Sequence, residues 1–245
     1  MSRILLTCLL ASLLLSCQTE KKMETAVQTP NRLQALEFPE RYQVGFLVMD
    51  GTFNTELTAP FDIFQHTIFR EGIKPMNVFM IADRSTPVKT FEGMLIQPDF
   101  NYLVDSLPKI DILVIPSAEH HLDTDLENEQ MLQFVKDIAQ EADFVTSHCD
   151  GAFVLAQAGL LNERVSTTFP SDIETMRERF PELDIREDVL FVHDGQIITS
   201  AGGAKSFEAA LYLTELFYGK KIAESLAQGL VIDWDLNEVP HLIME

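Results

Sequence analysis

Apolar residues in this chain fall into short runs broken by polar turns, and the runs alternate between strand-like and helical spacing. Tyr42–Met49 is a nearly continuous apolar run closed by Asp50-Gly51, which predicts a buried strand followed by a turn. Leu57–Phe69 places its apolar residues on a helical period. Met76–Ala82 is again strand-like, and Ile110–Ile115 is a β-branched run stopped by Pro116. Asp125–Ala142 sets Leu126, Met131, Phe134, Val135 and Ile138 along one side of a helix. Asp143–Ser147 predicts a strand running straight into His148-Cys149-Asp150-Gly151, and Ala152–Leu161 a helix. Val189–Val192 and Gln196–Thr199 flank His193-Asp194-Gly195, a hairpin signal. Ser206–Tyr218 and Lys221–Gly229 predict two closing helices. Strands alternating with helices predict an α/β fold with a mostly parallel sheet and helices on both faces. Ligands of such sheets bind beyond the carboxyl ends of the strands, which singles out the turns after Met49, Ile115 and Ser147.

The first residues follow a different pattern. Arg3 is followed by Ile4–Leu15, an apolar run too short for a comfortable membrane span, and then by Ser16-Cys17. Leu14-Leu15-Ser16-Cys17 resembles a bacterial lipobox, although Leu15 is bulky for its place. The expectation is a lipoprotein signal peptide at 1–17, a lipid on Cys17, a polar tether at 18–40 and one domain at 41–245. That places the chain in the cell envelope, anchored to a membrane through Cys17 and facing the periplasm or the exterior. Net charge is −20, from 38 acidic and 18 basic residues. This excludes the basic footprint that nucleic acid requires.

Cysteine usage narrows the chemistry. Cys8 leaves with the signal and Cys17 carries the lipid, so Cys149 is the single thiol of the mature domain and no internal disulfide can form. A lone thiol in an oxidising compartment is a liability unless buried or used. Cys149 falls where a strand becomes a helix, with Asp150, Gly151 and Ala152 behind it. A sharp turn there projects the side chain above the sheet, as in a nucleophile elbow, and the helix N-terminus favours thiolate. A buried structural cysteine fits the same pattern. Asp150 reads as a helix cap turned away from the sulfur, or as a polar partner to it. His120 and His121, just beyond Pro116, offer a base or metal ligand near the thiol; two exposed loop histidines is the plainer alternative.

Longer stretches carry a family resemblance. SHCDGAFVLAQAGLLNERVSTTFP, Phe180-Pro181, Phe191-Val192-His193-Asp194-Gly195, Thr199–Gly203 and VGFLVMDGTFNTELTAPFDIF together resemble the ThiJ/PfpI family of the class I glutamine-amidotransferase-like superfamily. The nearest branch holds isonitrile hydratases and the sensor domains of AraC-type regulators. The resemblance covers residues 42–220. It implies a flavodoxin-like three-layer sandwich, a homodimer, a small-molecule substrate or ligand, and neither metal nor other cofactor. It also implies that Cys149 is a nucleophile, that Glu56 is its acid/base partner, and that backbone amides near Ala118 and Asp150 form an oxyanion hole beside Ser117, Gly151 and Thr168. Several positions depart from the family pattern. Relatives carry Pro-Gly-Gly where this chain has Pro116-Ser117-Ala118, and a histidine where it has Phe169. Two functions follow: a cysteine-dependent hydrolase, hydratase or lyase, or a non-catalytic domain that binds a ligand or senses redox state through Cys149.

Overall fold

The computed structural model describes residues 31–244. The expected signal peptide, the lipobox at Cys17 and residues 18–30 lie outside the described residues. The elements in chain order are α1 (Asn31–Glu37), β1 (Tyr42–Leu47), α2 (Asn54–Gln65), β2 (Met76–Ala82), β3 (Phe100–Asn101), β4 (Ile112–Ile115), α3 (Glu129–Ala139), β5 (Phe144–His148), α4 (Gly151–Gln157), α5 (Ile173–Arg179), β6 (Phe191–Asp194), β7 (Ile197–Ser200), α6 (Ser206–Tyr218), α7 (Lys220–Gly229) and β8 (His241–Ile243). The main sheet runs β8-β6-β7-β5-β4-β1-β2-β3. All its pairings are parallel except the β6–β7 hairpin. This is the flavodoxin-like α/β sandwich expected from the sequence.

Strand periodicity builds the three layers. On β4, Leu113 and Ile115 face one side and Ile112 and Val114 the other. The first side packs Phe79, Val145 and Phe153 under α3, α4 and α5. The second packs Phe46, Val78 and Leu211 under α2, α6 and α7. Phe46, Phe79 and Phe153 have no exposed surface. Burying each ring stabilises the fold by about 1.5–3 kcal/mol. Helix α3 starts where Asn128 Oδ1 accepts the Met131 amide at 3.0 Å, a cap worth about 1 kcal/mol.

Several boundaries differ from the sequence expectation, each for a local reason. The helix expected over Asp125–Ala142 divides into a 3-10 turn, Thr124–Glu127, and α3, because the Asn128 cap restarts it. Helix α4 ends at Gln157 rather than Leu161, since Gly159 takes a positive φ of 75°. Part of the stretch expected to be a polar tether is structured. Residues 31–37 form α1, with Ala35 buried in the core and Arg32 bound to Asp105 at 3.0 Å and to the Asp99 carbonyl at 3.1 Å. Among the described residues no helix is long and apolar enough to cross a membrane.

Candidate active site

The turns after β1, β4 and β5 converge at one edge of the sheet. Phe53 N–H donates to the Ser117 carbonyl at 3.0 Å, Glu119 N–H donates to the Gly51 carbonyl at 3.0 Å, and Thr52 bridges Ala118. Gly151, the first residue of α4, packs so closely on β4 that an added Cβ would overlap the Ile115 carbonyl oxygen. Only glycine lets the helix begin there.

Cys149 occupies the corner between β5 and α4 with φ of 54°. That left-handed conformation costs a non-glycine residue about 1–2 kcal/mol and persists only where neighbours enforce it. They do so from three directions. The Cys149 amide donates to the Ser200 carbonyl at 2.9 Å. Its carbonyl accepts from Thr168 Oγ1 at 3.1 Å. Gly202, itself at φ of 77°, lies against its Cβ where any side chain would overlap. Cys149 is 6% exposed.

One carboxylate touches this thiol and a second acts on it through its charge. Cys149 Sγ lies 3.6 Å from Asp150 Oδ2, and Asp150 Oδ1 lies 3.3 Å from Thr168 Oγ1. The reading of Asp150 as a cap turned away from sulfur is therefore corrected: it stands at the N-cap position of α4 but makes no side-chain cap bond. Burial pushes the Asp150 carboxyl up to about 7, helped by the charge of Asp172. Glu56 is buried on the first turn of α2, where its Oε1 accepts the Gly203 amide at 3.0 Å. Its charge reaches the thiol as well. Burial first, then Asp150 and Glu56, push the Cys149 thiol far above its ordinary value, while Ser117 and the Asp150 amide oppose them. The sequence expectation was a thiolate favoured by the helix end. The structure reverses it, because a two-turn helix supplies about half a charge against desolvation and the charges of Asp150 and Glu56.

The remaining predicted residues divide. Ser117 is fully buried beside the thiol, and its Oγ has no other hydrogen-bond partner. The Ala118 amide, expected in an oxyanion hole, donates instead to His121 Nδ1 at 3.2 Å. His121 is fully buried, and burial lowers its imidazole to about 3, opposed by a backbone contact with Asp150. His120 is not brought to the sulfur. It is exposed, pairs with Asp123 at 3.1 Å, and lines a cavity of about 220 Å³ with Met49, Asp50, Tyr102 and Asp125. Adjacent residues of a turn point apart, so the pair divides between core and solvent. His148 is buried behind the elbow on Ser200 Oγ at 2.9 Å. Gly202 and Gly203 were not singled out as site residues by the chemistry of the sequence, whereas His121 was offered with His120 as a base or metal ligand and is instead a buried partner of the Ala118 amide. The stretch Thr199–Gly203 within the family resemblance was the signal for the glycines. Among the described residues no group of three or more His, Cys, Asp or Glu side chains could hold a metal ion.

Fold and site together define an α/β protein with a buried cysteine at a strand-to-helix corner, in contact with one carboxylate and under the charge of a second. The model of the DJ-1/PfpI family matches residues 42–216, and the chain belongs to that family. It is 26% identical over 182 residues to an isonitrile hydratase from Pseudomonas putida, covering 74% of this chain and 75% of that one. It is 28% identical over 146 residues to the HTH-type transcriptional regulator CdhR from Pseudomonas aeruginosa, covering 60% of this chain but only 42% of the regulator. Among solved structures, a ThiJ/PfpI family protein from Pseudomonas syringae superposes with a TM-score of 0.69 at 23% identity, over 80% of this chain and 76% of that one. Drosophila melanogaster DJ-1beta superposes with a TM-score of 0.62 at 20% identity, over 79% of this chain and all of that one.

Proposed function

We propose that this protein is a cysteine-dependent enzyme of the hydratase, hydrolase or lyase type acting on a small molecule, with Cys149 as nucleophile. The observation that carries the reading is the enforced left-handed Cys149 with its thiol against a carboxylate, 3.6 Å from Asp150 Oδ2. The similarity to an isonitrile hydratase supports the same chemistry. The resting thiol holds its proton. When an electrophilic carbon binds, sulfur forms a bond to it and the thiol proton passes to a carboxylate. Asp150 is in contact with the sulfur and titrates near neutrality; Glu56 is the second carboxylate within electrostatic reach. The carboxyl group returns that proton to the substrate, and water then displaces the sulfur. The net change is addition of one water, or hydrolysis where a leaving group departs. The protein works as a homodimer anchored to a cell-envelope membrane through Cys17.

Iodoacetamide alkylation and substrate turnover respond to Asp150 in opposite directions. Asp150→Asn removes a charge that suppresses the thiolate, so alkylation at pH 8 rises severalfold. Turnover in a screen of isonitriles, nitriles and activated esters falls, and its dependence on pH near 7 disappears. Turnover that survives Cys149→Ser would falsify the mechanism. The second reading, a non-catalytic ligand-binding or redox-sensing domain, draws on the similarity to a transcriptional regulator. Binding of a small molecule without turnover, or oxidation of Cys149 by peroxide without turnover, favours it.

A further inference from the structure

The peptide unit between Ser117 and Ala118 is held at both ends. Its carbonyl accepts the Phe53 amide at 3.0 Å, and its N–H donates to His121 Nδ1 at 3.2 Å. Turning that peptide to aim its N–H at a substrate would break both bonds. The His121 ring is itself fixed. Its own amide donates to the Ala118 carbonyl at 3.1 Å, so residues 118 and 121 bind each other reciprocally. Its Nε2 lies 3.4 Å from Met49 Sδ and 3.9 Å from Asp125 Oδ2. An acceptor Nδ1 places the ring proton on Nε2, the tautomer of a neutral imidazole. The strand-end amide, a ready donor on geometric grounds, is therefore committed to the core.

One group beside the thiol is uncommitted. The Ser117 side chain is fully buried, and its Oγ has no hydrogen-bond partner apart from its approach to the Cys149 sulfur. Leaving a buried hydroxyl unpaired costs about 1–3 kcal/mol, a cost offset when a ligand accepts from it.

We propose that the Ser117 hydroxyl, not the Ala118 amide, donates to the negative charge that develops on a substrate beside Cys149, and that His121 is the positioning residue that keeps the Ala118 amide out of that role. This rests on the reading of Cys149 as a nucleophile. With an activated ester as probe, the Cys149 sulfur bonds to the carbonyl carbon while the thiol proton moves to a carboxylate. The carbonyl π pair moves onto oxygen, where Ser117 Oγ–H and the Asp150 N–H donate. Collapse expels p-nitrophenolate and leaves an acetyl thioester, which water cleaves to acetate and the restored thiol.

The test uses the full chain and two probes. Acylation by p-nitrophenyl acetate builds an oxyanion, whereas alkylation by iodoacetamide does not. Ser117→Ala is expected to slow acylation about a hundredfold, the usual loss for one such donor, and to slow alkylation far less. Ser117→Thr keeps the hydroxyl and restores acylation. Adding His121→Leu to Ser117→Ala releases the N–H end of that peptide, leaves the Phe53 bond to its carbonyl, and recovers part of the lost acylation; no recovery overturns the role given to His121. Should that double variant fail to fold, the imidazole ¹⁵N spectrum of the unaltered protein serves: His121 must show an unprotonated Nδ1 and a protonated Nε2 from pH 5 to 8. Equal slowing of both probes by Ser117→Ala overturns the proposal, since Ser117 then supports only the thiolate. So does a His121 protonated on Nδ1. Acylation that persists in Cys149→Ser removes instead the nucleophile reading on which the proposal stands.

Discussion

Two tight turns of this protein are built to opposite standards. At the β6–β7 hairpin the left-handed position is filled by a glycine, Gly195, with φ of 64°. Every polar neighbour there has a partner. Arg164 Nη1 donates to the Asp194 carbonyl at 2.8 Å, Val165 N–H donates to Asp194 Oδ2 at 2.8 Å, and the His193 ring bridges Tyr212 Oη at 2.6 Å and the Gly195 carbonyl at 2.8 Å. At the β5–α4 corner a cysteine takes the left-handed position, Ser147 Oγ and His148 Nε2 are buried without hydrogen-bond partners, and Ser117 Oγ has none but the Cys149 sulfur. The hairpin follows the rules that make a turn stable. The corner breaks them around one sulfur atom. Strain and unpaired buried polar groups are tolerated where a site needs them, and surrounding packing supplies the difference.

The largest expected effect separates the two glycines. Gly202→Ala drives a methyl into Cys149 Cβ at a positive φ, and nothing there can move aside. Chemical denaturation is expected to show a loss of about 3 kcal/mol. Gly195→Ala meets only the end of the Arg164 side chain, which can swing away. Its loss is expected to be about 2 kcal/mol, the left-handed penalty plus the Arg164–Asp194 hydrogen bond that the swing breaks. Equal losses at the two positions would erase the contrast.

Acid sharpens the comparison next. Burial lowers His121 and His148 to about 3 from an ordinary 6.5, so their contribution to stability is present above pH 6.5 and fades as pH falls toward 3. Asp150 works the other way. Its carboxyl is raised to about 7 from 3.8, so its contribution is full below 3.8 and is lost as pH rises through 7. Between pH 4.5 and 6 two losses oppose one gain. The net of these three groups is one proton, so stability falls by about 1 kcal/mol per pH unit of acidification. Replacing His148 with Gln should nearly flatten that slope in denaturation series; an unchanged slope would mean that His148 is not the neutral buried group described. The smallest effect is the most direct. Cys149→Gly removes the left-handed penalty and is expected to stabilise the protein by about 1 kcal/mol in thermal unfolding, even as it abolishes the site.

Much of this was legible in the sequence. Met76–Ala82 and Ser206–Tyr218 were read with their observed bounds, because long apolar segments have an unmistakable period. The three turns that converge on Cys149 were found from strand ends alone. Short edge strands such as Phe100–Asn101 were not, since two residues carry no period. The site was legible as a set of residues but not as an electrostatic state. Placing Cys149 on a helix end argued for thiolate, whereas the sign was decided by burial and by the direction of Asp150, neither of which the sequence displays. His120 and His121 show the same gap. Adjacent and chemically identical, they part company because one backbone turn puts one ring in the core and its neighbour in water.

Helix α1 has a consequence for handling the protein. The matched family region begins at Tyr42, after this helix. Yet Arg32 holds the Asp99 and Asp105 side of the outermost strand, with its guanidinium 4.8 Å from the Phe100 ring centre. An uncovered sheet edge is a template for strand addition by another chain. A chain cut at Tyr42 retains every residue of the Cys149 corner and loses the cover on that edge. Its weakness would then lie in solubility rather than chemistry, with self-association appearing before any change at the thiol.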